Sequence, residues 1–253
     1  MLVTERTQSE RLFHDDQARQ RATDLSRRSN ALIFSDEAYL DHESWIRPAI
    51  ERLGRLAGRR VLDFGCGHGM ASVVLAHRGA RVTAMDLSGG YLAEARQRAA
   101  ANEATIETVQ ADAHQLPFPA AAFDGIWGNA VLHHLDLRVA GAELRRVLRP
   151  GGVAVFCEPW GENPLLRLAR RTLPYRGKSR TRDEEPLRQR DLDCLRESFP
   201  QLQMEGFQLL SMFRRLLHVP RLTAILAAYD HRLVRLKIAE NWCRYIVLTM
   251  RRE

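Results

Sequence analysis

Acidic and glycine residues recur at spacings that could hold a nucleotide-like ligand. Asp63 stands two residues ahead of Gly65-Cys66-Gly67-His68-Gly69, which separates the apolar run Val61-Leu62-Asp63-Phe64 from a helical pattern. Glycines there let the backbone turn sharply and approach a ligand closely, and the N–H groups of the following helix suit a carboxylate. Asp63 is placed to accept from an ammonium group. Asp86, 21 residues beyond Gly65, closes the next β-rich run, where a carboxylate can accept from both hydroxyls of a ribose. Leu87 would lie against an adenine, and Asp112, between Ala111 and Ala113, could accept from its amino group. Asn129 ends a fourth run. A glycine loop alone also serves dehydrogenases or an ordinary turn, but their usual pattern is G-x-G-x-x-G, not the G-x-G-x-G found here.

Two further features could move a proton. His133-His134 follow the fourth run and Glu158 ends the fifth. An imidazole with its ordinary pKa near ~6.5 suits removal of a hydroxyl proton. The alternatives are that His134 caps the next helix, His133 lines the pocket wall, and Glu158 fixes a neighbouring loop.

These residues need a frame that brings strand ends together. The strands expected are Arg60–Phe64, Arg81–Asp86, Ile106–Gln110, Phe123–Trp127 and Val153–Glu158, with helices near 69–78, 89–102 and 137–148. Such alternation is the signature of a parallel sheet covered on both faces. Pro150-Gly151-Gly152 stops the third helix and turns the chain into the fifth strand. Beyond 159 the pattern predicts a basic loop or short helix (163–182), a helix (187–198), a strand (205–213), an apolar helical stretch (219–239) and a last strand (242–250). Ahead of the sheet, residues 1–30 read as a frayed or helical arm. The spacing of Tyr39, Leu40, Trp45, Ile46, Ile50, Leu53 and Leu56 predicts an amphipathic helix interrupted by Pro48.

The segments VLDFGCGHG, AMDLS, QADAHQLPF, FDGIWGNAVLHHL and RRVLRPGGVAVFCEP cover about 100 residues. With these in register, the chain resembles class I, Rossmann-like S-adenosylmethionine-dependent methyltransferases, particularly the small-molecule branch that includes quinone-biosynthesis enzymes. The resemblance implies an α/β fold with a seven-stranded, mostly parallel, doubly wound sheet whose last strand is reversed. It also implies S-adenosyl-L-methionine as cofactor, S-adenosyl-L-homocysteine as product, and Gly65, Gly67, Asp86, Asp112 and Asn129 as cofactor contacts. Asp63, Gly69, Leu87 and Ala113 complete the expected cofactor set. Methyl transfer is an in-line displacement needing alignment and exclusion of water, so a base is required only for some acceptors.

The expected organisation is an N-terminal arm with lid helices (1–56) and a methyltransferase domain (57–253), with substrate-covering insertions at 160–186 and 214–239. Candidate acceptor contacts are Tyr39, His42, His134, Trp160 and Arg167. Asn163 to Arg182 holds seven basic residues and no acidic one, and Thr181-Arg182-Asp183-Glu184 resembles a stretch after the fifth strand in many small-molecule methyltransferases. The segment 214–239 reads as a lid, a dimer surface, a peripheral membrane contact or ordinary packing.

Composition narrows the function classes. With 45% apolar and 27% charged residues among 253, the chain reads as globular rather than disordered or fibrous. Four dispersed cysteines argue against a zinc knuckle or a disulfide framework, and no metal site is expected. The absence of an apolar leader or span predicts a cytoplasmic protein. Of the net charge of +7, residues 206–253 carry +6, and only Lys178 and Lys237 of the 38 basic residues are lysines. An RNA methyltransferase is the second reading, encouraged by the pI of 9.7. Against it, Asn129-Ala130-Val131-Leu132 lacks the Asn-Pro-Pro-Tyr pattern of base-amine methylation, and no RNA-binding module is evident. A third reading is a non-catalytic cofactor-binding regulator. The expected partner is a small-molecule acceptor, with the chain a monomer or homodimer.

Overall fold

In the sheet, the first five strands pair in parallel: a helix returns the chain to the same end after the first, second and fourth, and the loop 111–122 does so after the third. The computed structural model describes residues 5–26, 31–172, 185–210, 230 and 237–253. Strands β1 (Arg60–Phe64), β2 (Arg81–Asp86), β3 (Ile106–Gln110), β4 (Phe123–Asn129), β5 (Leu148–Pro159), β6 (Gln203–Phe207) and β7 (Tyr245–Arg251) form one seven-stranded sheet. Its order is β3-β2-β1-β4-β5-β7-β6, and β7 runs antiparallel to both neighbours. The order reverses between β1 and β4, so the carboxyl ends of these strands diverge into a crevice.

Alternate side chains divide the core in two. Leu62, Phe64, Ile126 and Phe156 face α6 (Leu137–Val147) and α8 (Gln189–Ser198), where Leu144, Leu195 and Phe199 are fully buried. Val61, Trp127, Val155 and Val247 face the opposite layer, with Trp45 and Ile50 from the N-terminal helices and Val74 from α4 (Met70–His77). Truncating one of the fully buried aromatic side chains, such as Trp127, to alanine would cost about 3–5 kcal/mol.

Several boundaries differ from the sequence expectation. The amphipathic stretch after Asp36 forms two helices, α2 (Asp36–Leu40) and α3 (Ile46–Glu51), and the break lies between them rather than at Pro48. Pro48 is the third residue of α3, in the first turn, where no intrahelical N–H bond is lost. Strand β5 begins at Leu148, ahead of the Pro-Gly-Gly turn, because Leu148 already pairs with Phe123 before the register shifts to Gly125 and Val153. Strand β6 ends at Phe207, not 213.

The arm is a continuous 22-residue helix, α1 (Glu5–Ser26), docked on α5 (Gly89–Ala101). Ala18 sits where a Cβ on Gly90 would be 2.8 Å away, and Arg21 donates two bonds to Glu94 at 3.0 and 2.7 Å. Of the 160–186 segment the structure describes residues 160–172, with α7 (Pro164–Thr172), and residues 185 and 186; residues 173–184, Thr181 to Glu184 among them, lie outside the described residues, as does 214–239 apart from Asp230 and residues 237–239. No helix among the described residues is long and apolar enough to cross a membrane.

Candidate active site

A cavity of about 1320 Å³ opens over the carboxyl ends of β1, β2, β3 and β4. Its floor is the turn after β1. Gly65, Gly67 and Gly69 all have positive φ, and a Cβ on Gly67 would meet nothing within 4 Å, so the open side of the loop faces the cavity. Gly69 serves a different purpose from the cofactor contact expected of it. It does not line the cavity; it begins α4 at φ 81°, and a Cβ there would lie 2.6 Å from Ala95 of α5. It is a packing glycine that brings two helices together.

The carboxylates are held by backbone donors. Asp86 accepts from Gly67 N at 2.8 Å and Ser88 N at 2.9 Å, so the end of β2 braces the glycine turn. Burial raises the Asp86 pKa, against those backbone donors. Asp63 accepts from Ser72 Oγ at 2.5 Å, and burial, opposed by that hydroxyl, pushes its carboxyl up to about 7. Asp112 accepts from the backbone N–H and Nδ1 of His114 at 2.9 and 2.7 Å, while His114 Nε2 accepts from Asp136 N at 3.0 Å. That relay orients Asp112 from the cap of α6. Leu87 and Ala113 line the same wall.

At the end of β4, Asn129 Oδ1 is buried without a hydrogen bond and belongs to a residue that lines the cavity. A buried acceptor in that condition favours a ligand donor. Ala130, the next residue, has φ 57°, a conformation costly to a side-chain-bearing residue and found at functional turns.

His133 and Glu158 require a correction. Both are buried and neither lines the cavity. Glu158 Oε1 accepts from the backbone N–H groups of Val131 and Leu132 at 2.9 and 2.8 Å, and Oε2 lies 2.7 Å from His133 Nδ1, which donates to it. The carboxylate is consumed in holding the turn after β4, so the pair positions Asn129 to Val131 rather than reaching a substrate.

The expected acceptor residues divide. Tyr39 and His134 line the cavity, and burial holds the Tyr39 hydroxyl well above its usual pKa. His42 is exposed and outside it. Trp160 is fully buried beside Leu187, with which it forms a parallel bridge, because its aromatic body completes the core under α8. Arg167 is exposed on α7, 3.8 Å from Glu162. These three do not reach the site.

Four α1 residues that the sequence did not single out, Thr7, Glu10, Arg11 and His14, form the cavity roof. The available signal was the i, i+4 spacing of Glu10 and His14. His68 was missed as well: it lines the floor, and burial with Arg21 and Arg98 lowers its pKa to about 4. Arg98 also donates to the His68 carbonyl at 2.8 Å and to Glu94 at 2.7 Å, bracing the loop from α5.

Comparison with known proteins agrees with this geometry. Residues 62–156 match the family described as "Methyltransferase domain". The malonyl-[acyl-carrier protein] O-methyltransferase of Enterobacter lignolyticus is 41% identical over 141 residues, 53% of this chain and 55% of that protein. The demethylmenaquinone methyltransferase of Clavibacter sepedonicus is 39% identical over 115 residues, 45% of this chain and 46% of that one. The chain thus spans about half the length of the curated relatives it matches. Geranyl diphosphate C-methyltransferase from Streptomyces coelicolor A3(2) shares the fold, with a TM-score of 0.55 at 18% identity over 82% of this chain and 78% of that one. Over residues 62–156 the chain is thus similar to the methyltransferase-domain family, and the seven-stranded sheet that contains them has the Rossmann-like methyltransferase fold.

Proposed function

We propose that the chain transfers a methyl group from S-adenosyl-L-methionine to a small-molecule acceptor. The observation that carries this reading is the convergence of Asp63, Asp86, Asp112 and Asn129 on one cavity from four strand ends. Asp86 would receive the ribose hydroxyls, Asp112 the adenine amino group through the oxygen that His114 leaves open, and Leu87 the face of the base. Asp63 and Asn129 would take the amino-acid end. When bound, the cofactor supplies an electrophilic methyl on a sulfonium. The protein's part is to hold the acceptor's lone pair in line with that methyl and keep water away. A cavity of about 1320 Å³ exceeds the usual range of up to roughly 1,000 Å³ for a single small ligand, leaving room for both reactants.

The acceptor side is formed by Tyr39, Val131, His134, Leu135 and the polar residues Thr7, Glu10, Arg11 and His14 of α1, a wall that sets apolar side chains beside charged and hydrogen-bonding ones. This favours an acceptor that offers both apolar and polar surface. The relatives named for malonyl-acyl carrier protein and demethylmenaquinone, each aligned over about half of this chain, set no finer choice. His133 and Glu158 act as positioning residues that fix the turn after β4.

The test is transfer of a labelled methyl group to pools of metabolites, lipids and RNA, alongside calorimetric titration of the cofactor. The expected result is a labelled small molecule and cofactor binding lost in Asp86→Ala. Labelled RNA would replace the acceptor class, and tight binding without any labelled product would make the chain a cofactor-binding regulator.

A further inference from the structure

We propose that Glu10, His14 and His134 form a binding site for one divalent cation in the cavity roof, with an open coordination position facing the cavity. Glu10 and His14 lie one turn apart on α1 and therefore on the same face. His134 comes from the turn after β4, 120 residues beyond His14, and that turn is held rigid by the His133–Glu158 pair just behind it. Glu10 Oε2 is 3.5 Å from His14 Nε2 and 3.3 Å from His134 Nδ1, and one ligand atom from each residue falls within 4.8 Å of the other two.

Those separations are the ones a metal would need. Zinc–nitrogen and zinc–oxygen bonds are about 2.0–2.1 Å, so adjacent ligand atoms of a tetrahedral site stand about 3.3 Å apart. Two of the three edges, those to Glu10, have nearly that length already, and the third, between the two ring nitrogens, is no more than 4.8 Å. By contrast, direct hydrogen bonds from a ring N–H to a carboxylate are about 2.7–2.9 Å, as between His133 and Glu158 at 2.7 Å.

The tautomer of His14 points the same way. Its Nδ1 lies 3.3 Å from Gln17 Oε1, an oxygen that also accepts from the Tyr91 hydroxyl at 2.9 Å. An amide oxygen can only accept, so Nδ1 carries a proton and Nε2 is the nitrogen that faces Glu10, where a proton or a metal cation can join the two. Histidines that ligate metals are held in this manner, with the far nitrogen donating to a fixed oxygen. His134 Nδ1 is likewise buried and makes no hydrogen bond.

Two imidazoles and one carboxylate suit a borderline cation of the zinc type better than magnesium or calcium, which favour all-oxygen sets. All three residues line the cavity, so the fourth position faces its interior. An oxygen or sulfur of the acceptor could ligate there. Because the ligands come from α1 and from the sheet, the cation would also pin the roof to the body of the protein. Cation binding does not depend on the reading that the chain transfers methyl groups.

The test uses the full chain, stripped by chelation and exchanged into metal-free buffer, titrated with Zn²⁺ by calorimetry and with Co²⁺ by visible absorption. One equivalent should bind, with the ligand-field bands of four-coordinate cobalt, and limited proteolysis within α1 should slow when Zn²⁺ is present. His14→Ala and His134→Ala should each weaken binding at least about tenfold, whereas His42→Ala, at an exposed site outside the cavity, should not. Glu10→Gln, which keeps the shape of the side chain, gives the same reading if a histidine variant fails to fold. No stoichiometric binding, or binding unchanged in Glu10→Gln and in whichever histidine variants fold, overturns the proposal. Cofactor titration of the metal-free chain separates that failure from a failure of the proposed function.

Discussion

The floor and the roof of the cavity are built by different physics. The floor is made of strand ends and glycine turns whose carboxylates are locked by backbone donors, as Asp86 is by Gly67 and Ser88 and Glu158 by Val131 and Leu132. The roof is a polar helix attached through side chains: Ser88 Oγ to Asp15 at 2.5 Å, Tyr91 to Gln17 at 2.9 Å and Arg21 to Glu94. Backbone-anchored groups inside a packed core have one geometry, whereas contacts made through the side chains of a partly exposed helix, such as Arg21 at 40% exposure, are exchanged for water more readily. The floor is therefore preorganised for a ligand, and the roof is the part that can separate from it.

The largest effect should come from the floor. Glu158→Ala leaves two backbone N–H groups and the His133 ring without their acceptor in a fully buried position, and should cost about 3 kcal/mol. For a chain of this size that lowers Tm by on the order of 10 °C in a thermal melt. A change of a degree or two would mean that water replaces the carboxylate and that the turn after β4 is not rigid. Next, Asp86→Ala should reduce cofactor affinity about 100-fold by calorimetry, since it removes charged acceptors worth about 1.5–3 kcal/mol each and frees the Gly67 turn. Retained affinity would put the ribose elsewhere.

Asp63 sharpens the comparison through pH. Its folded pKa of about 7 lies above the ordinary 3.8, so folding takes up a proton between those values. This group's contribution to stability is thus fully present below about pH 4 and is lost as pH rises to about 7. Binding of an ammonium group favours the ionised form, so cofactor affinity should rise severalfold from about pH 6 to pH 8. Asp63→Asn should flatten both profiles; unchanged profiles would remove Asp63 from the amino-acid end of the site. The smallest effect belongs to the roof. Arg21→Ala, at a side chain 40% exposed, should lower global stability by less than about 1 kcal/mol yet increase hydrogen exchange across α1. Equal exchange in α1 and β1 would show that floor and roof unfold together.

Much of the floor was legible because its determinants are local. The bounds of β1, β2 and β3 and the strand-end placement of Asp86, Asp112 and Asn129 follow from alternating apolar runs that stop at glycine or acid. Boundaries failed where pairing overrode local pattern: Leu148 joins β5 because Phe123 faces it, and Pro48 sits inside α3 because only the start of a helix tolerates it. Trp160 looked like a substrate contact from its position after β5, but its direction was set by the core beneath α8.

The sequence alone determined the doubly wound order of elements and the identity of the groups at the carboxyl edge of the sheet, since a strand, a glycine turn and a helix are each encoded within about a dozen neighbouring residues. Tertiary structure alone decided which of those groups face the cavity. His133 and Glu158 are turned inward by each other, while Glu10 and His14 meet His134 only because α1 crosses the sheet edge and docks on α5. Contacts between residues more than a hundred positions apart leave no periodicity in the chain, so the roof became readable only when the fold brought its two sides together.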